Sequence, residues 1–559
     1  MYRFTRILAC LWLATSCTAD DTDLDDIDTA EASQALAAGI SWDAATGTIT
    51  ITGTAGNDAA GLALSGANVR ATFNGATRDI LASSVRRVVF QGNDGSDTFS
   101  NTTSVPGSLD GGNGDDTITG GNGTDSIYGS WGRDTLRGGA GNDAMSGGGD
   151  ADQMWGGSGN DVMYGYGGGD VMRGDSGNDR IYGNSGDDQV FGDDGQDTLV
   201  AIGGGNDRVT GGASNDYLWL DVTDTLVDEA ALETSGGYVH RVDQFMPYHI
   251  GDQGPIPVGK ELDGPDLLDP APIDGQAVEL NSFEGSPLFA SAGPTKHDIV
   301  QGSVGDCYLV SQLSAVADAY PEWIRNLIVD LGDGTYAVRF YMHDAGDPPA
   351  PTGAPIYVRV DADIWLDPAT NRPRYAKLGA SGSVWVPIVE KAYAFFRPVA
   401  ERGTYATIIA GRGNTAAHLG MTSTRITIND GLTGAEVQAW HDAGRPPGRI
   451  ADTVRGTTLF YLYAIRANLA KAQVAGAPSR LSNSTAIVAD DPADDDDPHT
   501  FRRGTHVYMV DDVRVDANGV PTALVLRDPV AWPEGHTRVI TDFTRIWFNI
   551  SRIGVATPR

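Results

Sequence analysis

GGNGDDTIT (residues 111–119) runs without a gap into GGNGTDSIY (120–128), and the same nine-residue frame returns as GGAGNDAMS (138–146). Aspartate recurs in that frame at Asp116, Asp125, Asp134, Asp143, Asp152, Asp161, Asp170, Asp179, Asp188 and Asp197; after one inserted residue Asp207 and Asp216 continue it. Two places beyond each aspartate stands an apolar residue: Ile118, Ile127, Leu136, Met145, Met154, Met163, Met172, Ile181, Val190, Leu199, Val209 and Leu218. A flexible Gly-Asp linker has no need of that apolar beat. Each unit therefore reads as a glycine-permitted turn followed by a very short strand with one inward side chain. No single unit can bury that side chain, so the repeats must stack into a coil with a thin apolar core.

Stacking brings the turn aspartates together, and uncompensated they would repel. A hard cation between successive turns, bound by carboxylate and peptide oxygens, removes the repulsion. The units resemble the RTX calcium-binding β-roll. That resemblance implies turns that bind Ca²⁺ through the twelve aspartates and triplets that form the strands. Glycine is replaced at Ser130-Trp131 and Ala213-Ser214, which departs from the family pattern.

Around the array, 106–220, the composition changes. Residues 40–105 hold alternating stretches such as TITITG (48–53) and RRVVFQG (86–92), expected to form a β-rich cap. Between 221 and 284 the period stops, and PIPVGKELDGPDLLDPAPIDG (255–275) reads as a linker. A second, globular domain is expected over 285–559. The N-terminus, MYRFTRILACLWLATSC, has the layout of a secretory signal over 1–17. Ala14-Thr15-Ser16-Cys17 resembles a lipobox, which implies an acylated Cys17 and outer-membrane anchoring; ordinary cleavage near Ala19 is the alternative. Residues 18–39 read as a disordered acidic tether, and the protein as extracellular or displayed at the cell surface. With 39 Lys+Arg against 74 Asp+Glu the formal charge is −35, which repels nucleic acid and anionic lipid.

Of three cysteines, Cys10 lies in the signal and Cys17 is lipidated or lost, so Cys307 remains as a lone thiol. It stands in QGSVGDCYL (301–309), and Leu309, Leu313, Val316 and Ala317 follow at helix spacing. A helix N-terminus there favours thiolate. His506 is the candidate proton partner, in HVYMV; this strand and ALVLR, joined by a turn at Asn518-Gly519, bring His506 near Asp528.

QGSVGDCYL resembles the nucleophile motif of the calpain protease core. WVPIVEKAYA (385–394), GTYATIIAGRGNTAAHLG (403–420), GTHVYMV, LRDP and DFTRIWFNI (542–550) resemble further segments of that core. The resemblance spans about 285 to the C-terminus. It implies a papain-like α+β fold with Cys307 as nucleophile, His506 as proton shuttle, Asp528 as orienting residue and Gln301 as oxyanion donor. Calpains carry Asn where this chain has Asp528, followed by Pro-Trp-Gly rather than Pro529-Val530-Ala531-Trp532. The acidic insert DDPADDDDPH (490–499) is either a solvated loop or an additional calcium or regulatory site. The expectation is a multidomain chain: a parallel calcium-binding β-roll, then a calpain-like cysteine endopeptidase acting on proteins or peptides. The alternative is a calcium-stiffened surface adhesion protein with an inactive protease core. Oligomeric state is not legible.

Overall fold

The structure, a computed structural model, describes residues 39–228, 238–248, 255–260, 267–273, 275–303, 306–343, 351–379, 382–396, 415–427, 485–489, 504–517, 521–527, 537–540 and 552–558. The signal and lipobox with Cys17, most of the acidic tether, the insert 490–499, the segment 542–550 and Asp528 lie outside the described residues.

The repeats form a parallel coil in which two nonapeptides make one turn. Ile127 lies in register with Leu109 and Met145 in one sheet, and Leu136 with Ile118 and Met154 in the other. All twelve apolar positions of the frame are buried between the two sheets. Each sheet has eleven strands. Coils approach closely enough that glycine is required at some turns: a Cβ on Gly177 (φ +135°) would lie 1.6 Å from the Gly159 carbonyl oxygen. At the departures from the frame, Ser130 (φ +81°) and Ser214 (φ +92°) still adopt the left-handed conformation, so the coil continues through them at some backbone strain.

The coil extends beyond 106–220 in both directions. Thr48–Thr52 pairs in parallel with Arg87–Gln91, and Val239–Val242 with Tyr217–Asp221. At the N-terminal end Gly39–Asp43, Asn68–Phe73 and Ala76–Leu81 add antiparallel strands that cover the last parallel edges. Phe90 stacks on Phe99, centroids 4.8 Å apart, across the interior between the sheets.

The stretch expected as a linker, 221–284, is packed in part: among its described residues Val222, Val227 and Leu268 are exposed, whereas others are anchored. Val239–Val242 is the last strand of its sheet, Phe245 and Tyr248 are buried, and Tyr248 stacks on Phe395 at 4.1 Å. Aspartate, glycine and proline are frequent in it, yet a few aromatic anchors decide where its packed parts go.

The region that follows is mixed α and β. A three-stranded antiparallel sheet comprises Ile328–Asp330, Thr335–His343 and Pro351–Asp361. Helices α1 (Cys307–Ala319), α2 (Pro321–Arg325), α3 (Trp385–Phe396) and α4 (Thr415–His418) accompany it. Alternate residues of its middle strand face opposite ways, as strand geometry requires. Tyr336, Val338 and Phe340 join the core with α1 and α3, whereas Ala337 joins a cluster with the roll. A separate four-stranded sheet holds Thr485–Ala489, Gly504–Val515, Pro521–Arg527 and Thr537–Ile540 in that order.

The roll meets this region through one outward column of its sheet. Tyr164, Tyr182, Val200, Trp219 and His240 are in register on successive strands. Tyr182, Val200 and Trp219 bury against Val329, Leu331, Ala337 and Tyr357. His240 stacks on Trp219 at 3.9 Å and its Nε2 meets Asn326 Oδ1. Tyr217 Oη donates to Glu322 of α2. The central sheet is therefore sandwiched between its own helices and the roll.

Candidate active site and calcium ladders

Cys307 is the first residue of α1, and Asp306 stands at the N-cap. The Asp306 carbonyl accepts from Leu309 N–H at 2.7 Å, while its side chain makes no capping bond. That leaves the first amides of α1 directed at the Cys307 end, the setting in which peptide dipoles favour a thiolate. The helix is anchored by Leu309, Val310, Leu313 and Val316, all fully buried.

Gln301 is fixed by its neighbours on both sides. Ser303 N–H donates to the Arg374 carbonyl at 2.9 Å, and Lys377 N–H to the Val300 carbonyl at 3.0 Å. A Cβ on Gly302 would lie 1.7 Å from the Tyr375 carbonyl oxygen, so only glycine fits there. Gln301 is buried, and its Nε2 donates to Asp306 Oδ1 at 2.9 Å.

His506 lies on Gly504–Val515, paired with Ile487 on one side, and this strand packs along α1. Its other neighbour is Pro521–Arg527, with Met509 opposite Arg527, so the two strands expected to flank Asn518-Gly519 do pair antiparallel. Cys307 and His506 are placed by their backbone, on packed elements; Arg527 is the last described residue before Asp528.

Three charged residues in this neighbourhood were not singled out from the sequence. Glu390 and Lys391 are buried at the centre of α3, and Asp306 is buried beside Cys307. Lys391 Nζ pairs with Asp361 and Asp269 and donates to the Asp363 carbonyl at 2.9 Å. Glu390 Oε2 accepts from Ala376 N–H at 2.8 Å. Burial, with the Asp306 carboxyl beside it, pushes Glu390 well above the usual carboxyl range. Burial lifts Asp306 to about 6. The sequence signal was available: two charges inside the otherwise apolar WVPIVEKAYAFF.

The twelve aspartates of the repeats form two ladders, one along each edge of the roll. Along one, the N–H groups of Asp97, Asp116, Asp134, Asp152, Asp170 and Asp188 donate to Oδ1 of Asp116, Asp134, Asp152, Asp170, Asp188 and Asp207 in turn, at 2.6–2.8 Å. Along the other, Asp125, Asp143, Asp161, Asp179, Asp197 and Asp216 are linked in the same way, at 2.7–2.9 Å. Asp97 was missed, although GNDGSDTFS (92–100) already keeps the frame.

In eleven of the twelve, all but Asp216, the second oxygen, Oδ2, is buried and receives no donor among the described residues. Glycine makes its cradle: a Cβ on Gly138, Gly147 or Gly156 would lie 2.3 Å from Oδ2 of Asp143, Asp152 or Asp161. Burial pushes these carboxyls up, to about 7 for Asp116 and Asp143 and about 8 for Asp152 and Asp207. A file of buried, donor-less carboxylate oxygens is what a hard cation compensates, so the residues fit calcium. No group of three or more His, Cys, Asp or Glu side chains converges among the described residues, so peptide oxygens would complete the shell. Among the same residues no helix is long and apolar enough to cross a membrane.

Comparison with known families agrees with both halves. Residues 108–136, 128–163, 164–199 and 203–222 match the RTX calcium-binding nonapeptide repeat, and residues 277–423 match the calpain family of cysteine proteases. The latter match includes Gln301, Cys307 and Glu390 and ends before His506. No curated protein matches the chain. The chain thus carries RTX calcium-binding repeats, folded as a parallel β-roll, ahead of a calpain-family cysteine protease region.

Proposed function

We propose that this protein is an exported, calcium-dependent cysteine endopeptidase. The observation that carries the reading is the placement of Cys307 at the first position of α1, with that helix packed along the His506 strand. The Cys307 thiolate attacks the scissile carbonyl carbon, forming a C–S bond and an oxyanion that Gln301 Nε2 and the Cys307 N–H stabilise. His506 delivers a proton to the departing amine as the C–N bond breaks. It then takes one from the water that releases the acyl group. Asp528 holds the imidazole in its working orientation.

Calcium, when bound, neutralises the ladder carboxylates and so stabilises the roll. The protease region is packed on that roll, so its stability is tied to calcium supply, which is plentiful outside a cell. Secretion, with or without lipidation at Cys17, agrees with RTX repeats and with the charged leader. Casein cleavage in calcium tests the assignment: Cys307→Ala abolishes it, and unchanged cleavage refutes it. Labelling of Cys307 by a thiol-reactive probe that depends on His506 separates the enzyme from an inactive binding protein.

A further inference from the structure

We propose that Asp306 and Glu390 form a proton-sharing carboxyl pair beside Cys307 that positions the Gln301 amide for the oxyanion; this rests on the proteolytic reading above. The two residues are 0% and 1% exposed and come from different elements, Asp306 at the cap of α1 and Glu390 midway along α3. Each gives one oxygen to an amide. Asp306 Oδ1 accepts from Gln301 Nε2 at 2.9 Å, and Glu390 Oε2 accepts from Ala376 N–H at 2.8 Å. The remaining oxygens, Asp306 Oδ2 and Glu390 Oε1, are buried and receive no hydrogen from another described residue. The two carboxyls instead meet each other.

Two ionised carboxylates do not share a buried pocket, so one proton lies between them. Glu390 carries it as the acid. Its burial and the adjacent Asp306 charge both disfavour ionisation, whereas Asp306 is stabilised as carboxylate by Gln301 and Glu390. Lys377 and Tyr375 are the other titratable groups that feel Glu390, and burial lowers the pKa of Lys377.

The consequence falls on Gln301. An amide nitrogen has two hydrogens; anchoring one on a carboxylate fixes the direction of the other, which is the preorganisation an oxyanion donor needs. The pair also closes a ring. Glu390 holds Ala376, and the flanking residues Arg374 and Lys377 hold Ser303 and Val300 on either side of Gln301. Asp306 and Glu390 are thus positioning residues that act through Gln301.

The test uses the full chain in calcium at neutral pH. An infrared difference spectrum, wild type minus Glu390→Gln, contains the C=O stretch of a protonated carboxylic acid. Glu390→Leu lowers kcat by on the order of 100-fold with KM unchanged, the loss expected for one oxyanion donor. Glu390→Gln, which keeps a donor and an acceptor, restores most of that loss. In a Gln301→Ala background Glu390→Leu costs nothing further, because the effect passes through the missing amide. Additive losses overturn the positioning role. A spectrum without the acid band overturns the shared proton, whether or not the protein cleaves and whether or not Glu390→Leu folds. Absence of any Cys307-dependent cleavage by the wild type refutes the proteolytic reading and the oxyanion role with it, and the band then decides the pair alone.

Discussion

Consider the roll with its calcium withdrawn by EDTA at pH 8. Ten of the ladder carboxyls (Asp116, Asp125, Asp134, Asp143, Asp152, Asp170, Asp179, Asp188, Asp197 and Asp207) stand at about 6 to 8, against 3.8 for an ordinary aspartate. A lift of about three units corresponds to ~4 kcal/mol per group if nothing screens it. The outer rim of each turn is open to water, so roughly a quarter of that, ~1 kcal/mol each, is the share to count on. Ten such groups then cost about 10 kcal/mol when all are ionised, on the scale of a whole domain's stability. The folded carboxyls hold protons that the unfolded chain has released. Metal-free stability is therefore full below about pH 4 and is lost as pH rises through the 6–8 window. Calcium requires the ionised form, so its stabilisation grows over the same window.

Acid should consequently replace calcium. In EDTA, the thermal midpoint of the calcium-sensitive transition of the full chain falls as pH goes from 5 to 8; in calcium it does not. Asp152→Asn sharpens the test, because it keeps an Oδ1 for the Asp134 N–H and exchanges the donor-less Oδ2 for a neutral amide. At pH 8 it raises the midpoint in EDTA, by about 2–4 °C for each kcal/mol relieved, and lowers it in calcium. A metal-free midpoint that is flat or rises between pH 5 and 8, or an Asp152→Asn change of the same sign in both buffers, refutes the reasoning.

Two further outcomes follow from the packing. Trp219→Ala empties the seam between the roll and the central sheet and costs about 3–5 kcal/mol; calorimetry should then resolve a protease transition that no longer responds to calcium, and a transition still tracking calcium refutes the coupling. Gly302→Ala forces a Cβ into the Tyr375 carbonyl and shifts Gln301, so kcat falls by on the order of 100-fold while iodoacetamide still alkylates Cys307; wild-type kcat would show that the clamp does not hold the amide.

The roll was legible because its period repeats one local decision many times. Each Asp and each apolar residue is set by contacts with equivalents one coil away, such as Ile127 with Leu109 and Met145. Glycine replacements at Ser130 and Ser214 did not break the coil, since the neighbouring coils impose the same backbone on them. The helix start at Cys307 was legible for the opposite reason: Gly302 and Gly305 stand before it and apolar residues follow at helix spacing. The buried charges at Asp306 and Glu390 were not, because their meaning lies in a pairing between residues far apart in sequence. A carboxyl in an apolar helix announces a partner without saying which.

The seam illustrates the remaining gap between pattern and structure. In a roll standing alone, the residue after each inward apolar position would face water. Here Tyr182, Val200, Trp219 and His240 occupy those places, and all four are buried against the central sheet or its neighbours. Such a column cannot be explained by the nonapeptide, which needs only its inward residues. Nor is it explained by the protease core, whose own helices cover one face of that sheet. Each side has one apolar face too many for its own fold, and the two excesses match. On the proposed reading, a roll that unfolds without calcium exposes Val329, Leu331 and Ala337 to water along with its own interior. The calcium dependence proposed for the protease region is thus carried by this packed face, and it needs no calcium ligand among that region's described residues.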